Sequence, residues 1–180
     1  PDPFLKHLKI DKLTEIKQNP RILSNYENYL SLMNLRQDLE NLMRTKNPQV
    51  VNEICYKMEQ SEEFVNGKRR ISQNVISAVV LFIADNPVNQ QEQLLEDRET
   101  FKLIVHRLNN ETRYCFLNSI INELRFPNNH TFKFSCIILQ LYAEADKEII
   151  QEQISSIFLE RLQACGPYPW GLMISFRELI

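Results

Sequence analysis

The sequence predicts an all-α fold, an irregular HEAT-like stack of antiparallel helix pairs. Three observations carry that prediction. Apolar residues recur at three- and four-residue spacings over most of the chain, which puts them on one face of successive helices. Glycine occurs only three times in 180 residues, at Gly67, Gly166 and Gly171. A sheet-rich fold or a phosphate-cradling loop needs more glycine at its turns and close backbone approaches. Eight prolines fall mostly where helices would begin or end, which favours short connections, and short connections make neighbouring helices antiparallel.

The elements follow in chain order. Pro1, Pro3 and Pro20 punctuate residues 1–25, which read as an extended lead-in with one short helix near Leu13 to Lys17. From Tyr26 the pattern turns helical, with Leu32, Leu35, Leu39 and Leu42 on one face. Asn47 and Pro48 interrupt it, and Pro48 suits the first turn of the next helix, where a missing N–H leaves nothing unpaired. Val51, Ile54, Cys55 and Met58 line that helix.

The polar stretch from Glu59 to Gly67 reads as a loop. The following helix carries Ile71, Val75, Ile76, Val79, Val80 and Ile83 on more than one face, so it should be central and well buried. It should end near Asp85 and Asn86, before Pro87. The Gln- and Glu-rich segment from Asn89 to Arg98 reads as an exposed loop or helix start, followed by a stripe of Phe101, Ile104, Val105 and Leu108. Tyr114, Leu117, Ile120, Ile121 and Leu124 form the next stripe, stopped by Phe126 and Pro127. Asn128 or Asn129 can cap a helix bearing Phe134, Ile137, Ile138, Leu141 and Ala145. Asp146 is placed to cap a long helix with Ile150, Ile154, Ile157, Phe158 and Leu162. Gly166 and Pro167 end it, and a last helix starts near Trp170. The whole of 1–180 therefore reads as one helical domain fragment cut from a larger chain: the lead-in over 1–25, then stacked helices over 26–180. About seven or eight helices of about 12–20 residues are expected, without a strict sequence repeat.

Apolar residues make up 43% of the chain, enough for a buried core rather than wholesale disorder. The formal charge is −2, from 21 basic and 23 acidic residues. Direct nucleic-acid binding and attraction to an anionic membrane are therefore not expected of the chain as a whole. Lys68, Arg69 and Arg70 form the only tight basic run and read as a solvated helix start. The longest apolar stretch, residues 76–84, is far short of the ~18 residues of a membrane span.

Cys55, Cys115, Cys136 and Cys165 form no C-x-x-C pair and sit in or beside helical stripes, where they read as small buried apolar residues with free thiols. That points to a reducing compartment. The sequons at Asn110 with Thr112 and Asn129 with Thr131 fall where helix caps belong, and cap chemistry explains them better than glycosylation.

A search for chemistry finds no catalytic constellation. His7, His106 and His130 lack the helix-spaced partners of an H-E-x-x-H-like site, and His106 reads as a partly exposed helix residue. No serine lies in a G-x-S-x-G elbow. Glu96 and Asp97 read as a solvated face. No catalytic, cofactor-binding or metal residue is nominated, no cofactor is expected, and the chain reads as a non-enzyme. Most aromatics lie in apolar stripes. The exception is Tyr168 with Trp170, flanked by Pro167 and Pro169: Trp170 reads as a buried anchor of a helix–helix turn, with an aromatic ligand clamp as the alternative.

Several blocks carry a family likeness: RYCFLN (113–118), LRFPNNHTFKFSC (124–136), YAEAD (142–146), IQEQI (150–154), FLERL (158–162) and PYPWGLMISFRELI (167–180), together with PDPFLKHLKID (1–11) and PRILSNY (20–26). With them the chain resembles the C-terminal Not-superfamily homology domain of the Not-one scaffold subunit of the CCR-NOT messenger-RNA deadenylase complex. The resemblance is dense over the last seventy residues and the first twenty-five. It implies a HEAT-like, non-catalytic scaffold domain, cytoplasmic with the nucleus as a second compartment. Such a domain docks the other Not subunits with Not-box domains and RNA-bound repressor proteins, supporting deadenylation and translational repression. The matching blocks look like core and turn positions, so partner-binding residues stay unassigned. Two other classes remain open at this point: an RNA-binding or general peptide-binding helical repeat, and an enzyme without a recognisable motif.

Overall fold

A computed structural model describes residues 26–65, 67–85, 90–125, 130–164 and 170–180. The expected lead-in over 1–25 lies outside them. The described elements are α1 (Tyr26–Leu32), α2 (Leu35–Thr45), α3 (Pro48–Gln60), β1 (Glu62–Val65), β2 (Lys68–Ile71), α4 (Gln73–Ala84), α5 (Gln90–Arg107), α6 (Asn110–Asn122), α7 (Thr131–Ala143), α8 (Glu148–Ala164) and α9 (Trp170–Leu179).

The helices form two rows. In one, α1 packs on α4, α4 on α6 and α6 on α8; in the other, α2 packs on α3, α3 on α5, α5 on α7 and α7 on α9. From α3 onward, successive helices alternate between the rows, the pairing logic of a HEAT-like array. Local sequence sets the starts. Asn47 Oδ1 accepts from the Gln49 N–H at 2.9 Å, with Pro48 in the first turn of α3. Asn109 Oδ1 accepts from the Thr112 N–H at 2.9 Å at the start of α6, which puts the cap one residue before the sequon asparagine Asn110, with Thr112 fully buried.

The core runs between the rows. Helix α4 buries eight of its residues: Val75, Ile76, Ala78, Val79, Val80, Leu81, Ile83 and Ala84, as expected of a central helix. Phe101 of α5 packs on Phe116 of α6 and on Phe134 of α7, with ring centroids 5.8 and 6.2 Å apart. Each such ring contributes about 1.5–3 kcal/mol on burial, so this trio clamps the two rows across three consecutive helices.

Four local expectations are corrected. The Leu32–Leu42 stripe is not one helix: the chain breaks at Met33–Asn34, where Asn34 takes a left-handed conformation (φ 51°) that asparagine tolerates better than most residues. Leu32 is consequently 76% exposed, and Leu30 takes the core position. The expected loop from Glu59 to Gly67 instead ends α3 and enters a two-stranded antiparallel hairpin with Glu62 opposite Ile71 and Val65 opposite Lys68. Lys68, Arg69 and Arg70 are therefore strand residues rather than a helix start, and Ile71 ends β2 rather than beginning α4. Of the two readings of the Gln- and Glu-rich segment, the helix start holds, from Gln90. Helix α8 starts at Glu148, and the Asp146 carboxylate, expected to cap it, is engaged by His106 Nδ1 at 2.9 Å. The candidate caps Asn128 and Asn129 lie outside the described residues.

Candidate partner-docking surfaces

Within the family-like blocks, the residues of α6 and α8 that face the array prove to be packing. Arg113, Phe116 and Leu117 are buried on α6; Ile150, Ile154 and Phe158 are buried on α8. Tyr114 of the first block is half-buried and donates its hydroxyl to Glu160 Oε2 at 2.5 Å, tying α6 to α8. Arg161 binds Asn118 Oδ1 through Nε and Nη2 at 3.0 and 2.7 Å across the same helix pair. These contacts account for why such residue types recur together, and they leave recognition to other positions.

One surface is a groove of about 460 Å³ between α3 and α5. Asn47 and Pro48 fix where α3 begins, and its first turns supply Pro48, Val51 and Asn52. Helix α5 supplies Glu99, Lys102, Leu103, His106 and Arg107, which recur on one face at helical spacing, and Asp146 closes the end. The floor is apolar, from Val51 and Leu103. The rim carries both signs of charge. Its groups are held: Lys102 Nζ lies 2.8 Å from Glu144 Oε2, and His106 from Asp146 as above. Sequence spacing could not reveal the latter pair, because its members come from α5 and from the loop before α8.

A second surface is the outer face of α9. Trp170 is 77% exposed there, which overturns its reading as a buried anchor. The physical reason is that α9 seats on the array through Leu172, Ser175 and Phe176, which lie on the opposite side of the helix from Trp170. Met173 and Ile174 share the exposed side with Trp170. Tyr168, the other half of the aromatic pair, lies outside the described residues.

The remaining titratable groups are structural. Burial pushes the Cys55 thiol up to about 12 and raises that of Cys115, so both stay protonated at neutral pH; Cys55, Cys115 and Cys136 are free thiols, and Cys165 lies outside the described residues. His130 pairs with Asp85 at 2.8 Å. Asp97, expected on a solvated face, is buried and paired with Lys133. His7 lies outside the described residues. Among the described residues no cluster of His, Cys, Asp and Glu could hold a metal ion, and no helix is long and apolar enough to cross a membrane.

The fold is thus a helical-repeat array whose open features are a charged-rim groove and an apolar helix face. The chain belongs to the Not1 family: the family model described as "CCR4-Not complex component, Not1" matches residues 1–180. It is 48% identical over 82 residues, 46% of its length, to the CCR4-NOT transcription complex subunit let-711 of Caenorhabditis elegans. Over its full length it is 28% identical to the general negative regulator of transcription subunit 1 of Schizosaccharomyces pombe. It spans only 3% and 9% of those two relatives. Among solved structures it is similar to the NOT1 superfamily homology domain from Chaetomium thermophilum (TM-score 0.72, 27% identity, covering 99% of this chain and 38% of that one). It shares its fold with a Not1 C-terminal domain solved in complex with Not4 (TM-score 0.67, 20% identity, covering 81% of this chain and 33% of that one).

Proposed function

We propose that this chain is a non-catalytic docking domain of the CCR4-Not deadenylase complex. It holds the other Not subunits with Not-box domains and, through them, RNA-bound repressors, supporting messenger-RNA deadenylation and translational repression in the cytoplasm, with the nucleus as a second compartment. The observation that carries this reading is the α3–α5 groove, on a chain whose family and fold include a Not1 domain solved with Not4.

The groove suits a peptide segment. Apolar side chains of a partner can be buried against Pro48, Val51 and Leu103, while the rim charges of Glu99, Lys102, Arg107 and Asp146 set its register. Affinity then comes from a few anchors in the groove rather than from total area.

The test is to fill the groove without touching the core. Asn52 is exposed and lines it, so Asn52→Trp should leave melting unchanged and weaken co-elution with recombinant Not-box subunits by about tenfold or more, the scale of one lost anchor. Undiminished co-elution of a folded Asn52→Trp protein would remove the groove from the account.

A further inference from the structure

The β1–β2 hairpin joins α3 to α4 and packs Ile71 against the core, while Phe64, Lys68, Arg69 and Arg70 stand exposed. The Ser72 N–H donates to Ser61 O at 2.7 Å, which makes Ser61 and Ser72 a hydrogen-bonded pair at the base of the ladder. Pairs alternate along an antiparallel ladder. Glu63 with Arg70 and Val65 with Lys68 are then the bonded pairs in the observed register. Glu62, Phe64, Arg69 and Ile71 consequently direct their backbone N–H and C=O groups away from the partner strand. Among the described residues the sheet has two strands and no third strand pairs with either edge, which leaves its outward N–H and C=O groups available to a further strand.

The side chains select what could be added. Opposed residues share a face. One face carries Phe64, 71% exposed, with the Arg69 guanidinium 5.8 Å from its ring centroid and 3.3 Å from Glu62. The other carries Lys68 and Arg70, both exposed and two positions apart, with Glu63 opposite Arg70 and its carboxylate accepting from the Ser72 hydroxyl at 3.2 Å. A strand laid along β2 would present alternate side chains to these two faces: carboxylates beside Lys68 and Arg70, apolar groups beside Ile71 and the aliphatic stem of Arg69, whose guanidinium lies against Phe64.

We propose that this hairpin is a strand-addition site for an extended partner segment in which acidic and apolar residues alternate. Pairing of two copies through β2 is disfavoured, because Lys68, Arg69 and Arg70 of the two copies would meet. A nucleic-acid strand is the less favoured occupant: Glu62 and Glu63 stand in the same hairpin, and the Phe64 ring already carries Arg69. The site is separate from the α3–α5 groove, so the inference goes beyond the docking role proposed above.

The probe is a labelled peptide of alternating glutamate and valine, followed by fluorescence anisotropy. The chain should bind it, and Lys68→Glu with Arg70→Glu should weaken binding by about tenfold or more. The same peptide N-methylated at alternate backbone nitrogens, which removes the ladder donors, should lose a similar factor. Asn52→Trp should change nothing, which separates failure here from failure of the groove. No binding by the unmodified chain, equal binding by the charge-reversed variant with unchanged circular dichroism, or equal binding of the N-methylated peptide would each overturn strand addition. Binding of an oligouridine competing at the same residues in place of the peptide would assign the hairpin to RNA instead.

Discussion

Lys133 Nζ lies 2.7 Å from Asp97 Oδ2, with the two side chains only 17% and 4% exposed. The same ammonium donates to Ala84 O at 2.7 Å, at the end of α4. One residue of α7 thus joins α4 and α5 across the array. Removing two charges from water is expensive, and the pair is sustained by mutual attraction and by the extra hydrogen bond. Asp97→Ala, which strands a mostly buried cation, should therefore destabilise by about 3–5 kcal/mol. The double change Asp97→Leu with Lys133→Met should lie much nearer the parent, and urea unfolding of the three proteins would show it. Equal losses for the single and double variants would mean that the pair does not act as a unit.

Two carboxylates should respond to acid with opposite signs. The hydrogen bond from His130 holds the Asp85 carboxyl below its ordinary value, with burial opposing. Its stabilising contribution is present above the unfolded-state pKa of about 3.9 and is lost as pH falls through the depressed folded value. Burial raises Asp97, against the pull of Lys133, so its protonation favours the folded state as pH drops toward the ordinary carboxylate range. The stability gap between the parent and Asp85→Asn should close on acidification toward pH 3, read by thermal melts at a series of pH values. A gap that widens would reverse the assignment for Asp85.

Gly171 is held by contact. A Cβ there would fall 2.5 Å from Leu124 O and 3.1 Å from Thr131 Cγ2. In an exposed helix Gly→Ala stabilises by about 1 kcal/mol; here the backbone carbonyl must yield, and the sign reverses. Gly171→Ala should destabilise by about 1–3 kcal/mol, measurable as a lowered denaturation midpoint. A raised midpoint would show that α9 can shift freely on α7.

Trp170→Ala should change stability by less than about 1 kcal/mol, as for other exposed positions, because the indole is largely in solvent. Differential scanning calorimetry decides it: a loss of 3 kcal/mol or more would restore the buried-anchor reading.

The helical order was legible because burial periodicity is local. The Phe101 and Phe134 stripes and the Asn47–Pro48 start could be read within a few residues of themselves. The hairpin was missed although the Asn66-Gly67 pair between two short runs is a turn signal; its strands are only four residues each and polar, with no apolar alternation to detect. The break at Asn34 was hidden by Leu32, whose spacing fits a stripe that the chain does not use. Trp170 misled for a related reason: its size suggests burial, while the neighbouring Leu172 and Phe176 decide which face of α9 turns inward. The groove was not legible at all, since Pro48, Lys102 and Asp146 meet only once three separate elements have packed.

The central claim is that this surface docks other Not subunits without performing catalysis. Isothermal titration of the folded chain with recombinant Not-box subunits, run at low and high salt, tests it most directly. The account predicts saturable heat that weakens only modestly with salt, because apolar anchors in the α3–α5 groove carry the affinity, and no adenylate released from poly(A) by the same sample. Absence of heat and of co-elution from a well-folded sample, or release of adenylate by it, would contradict the account.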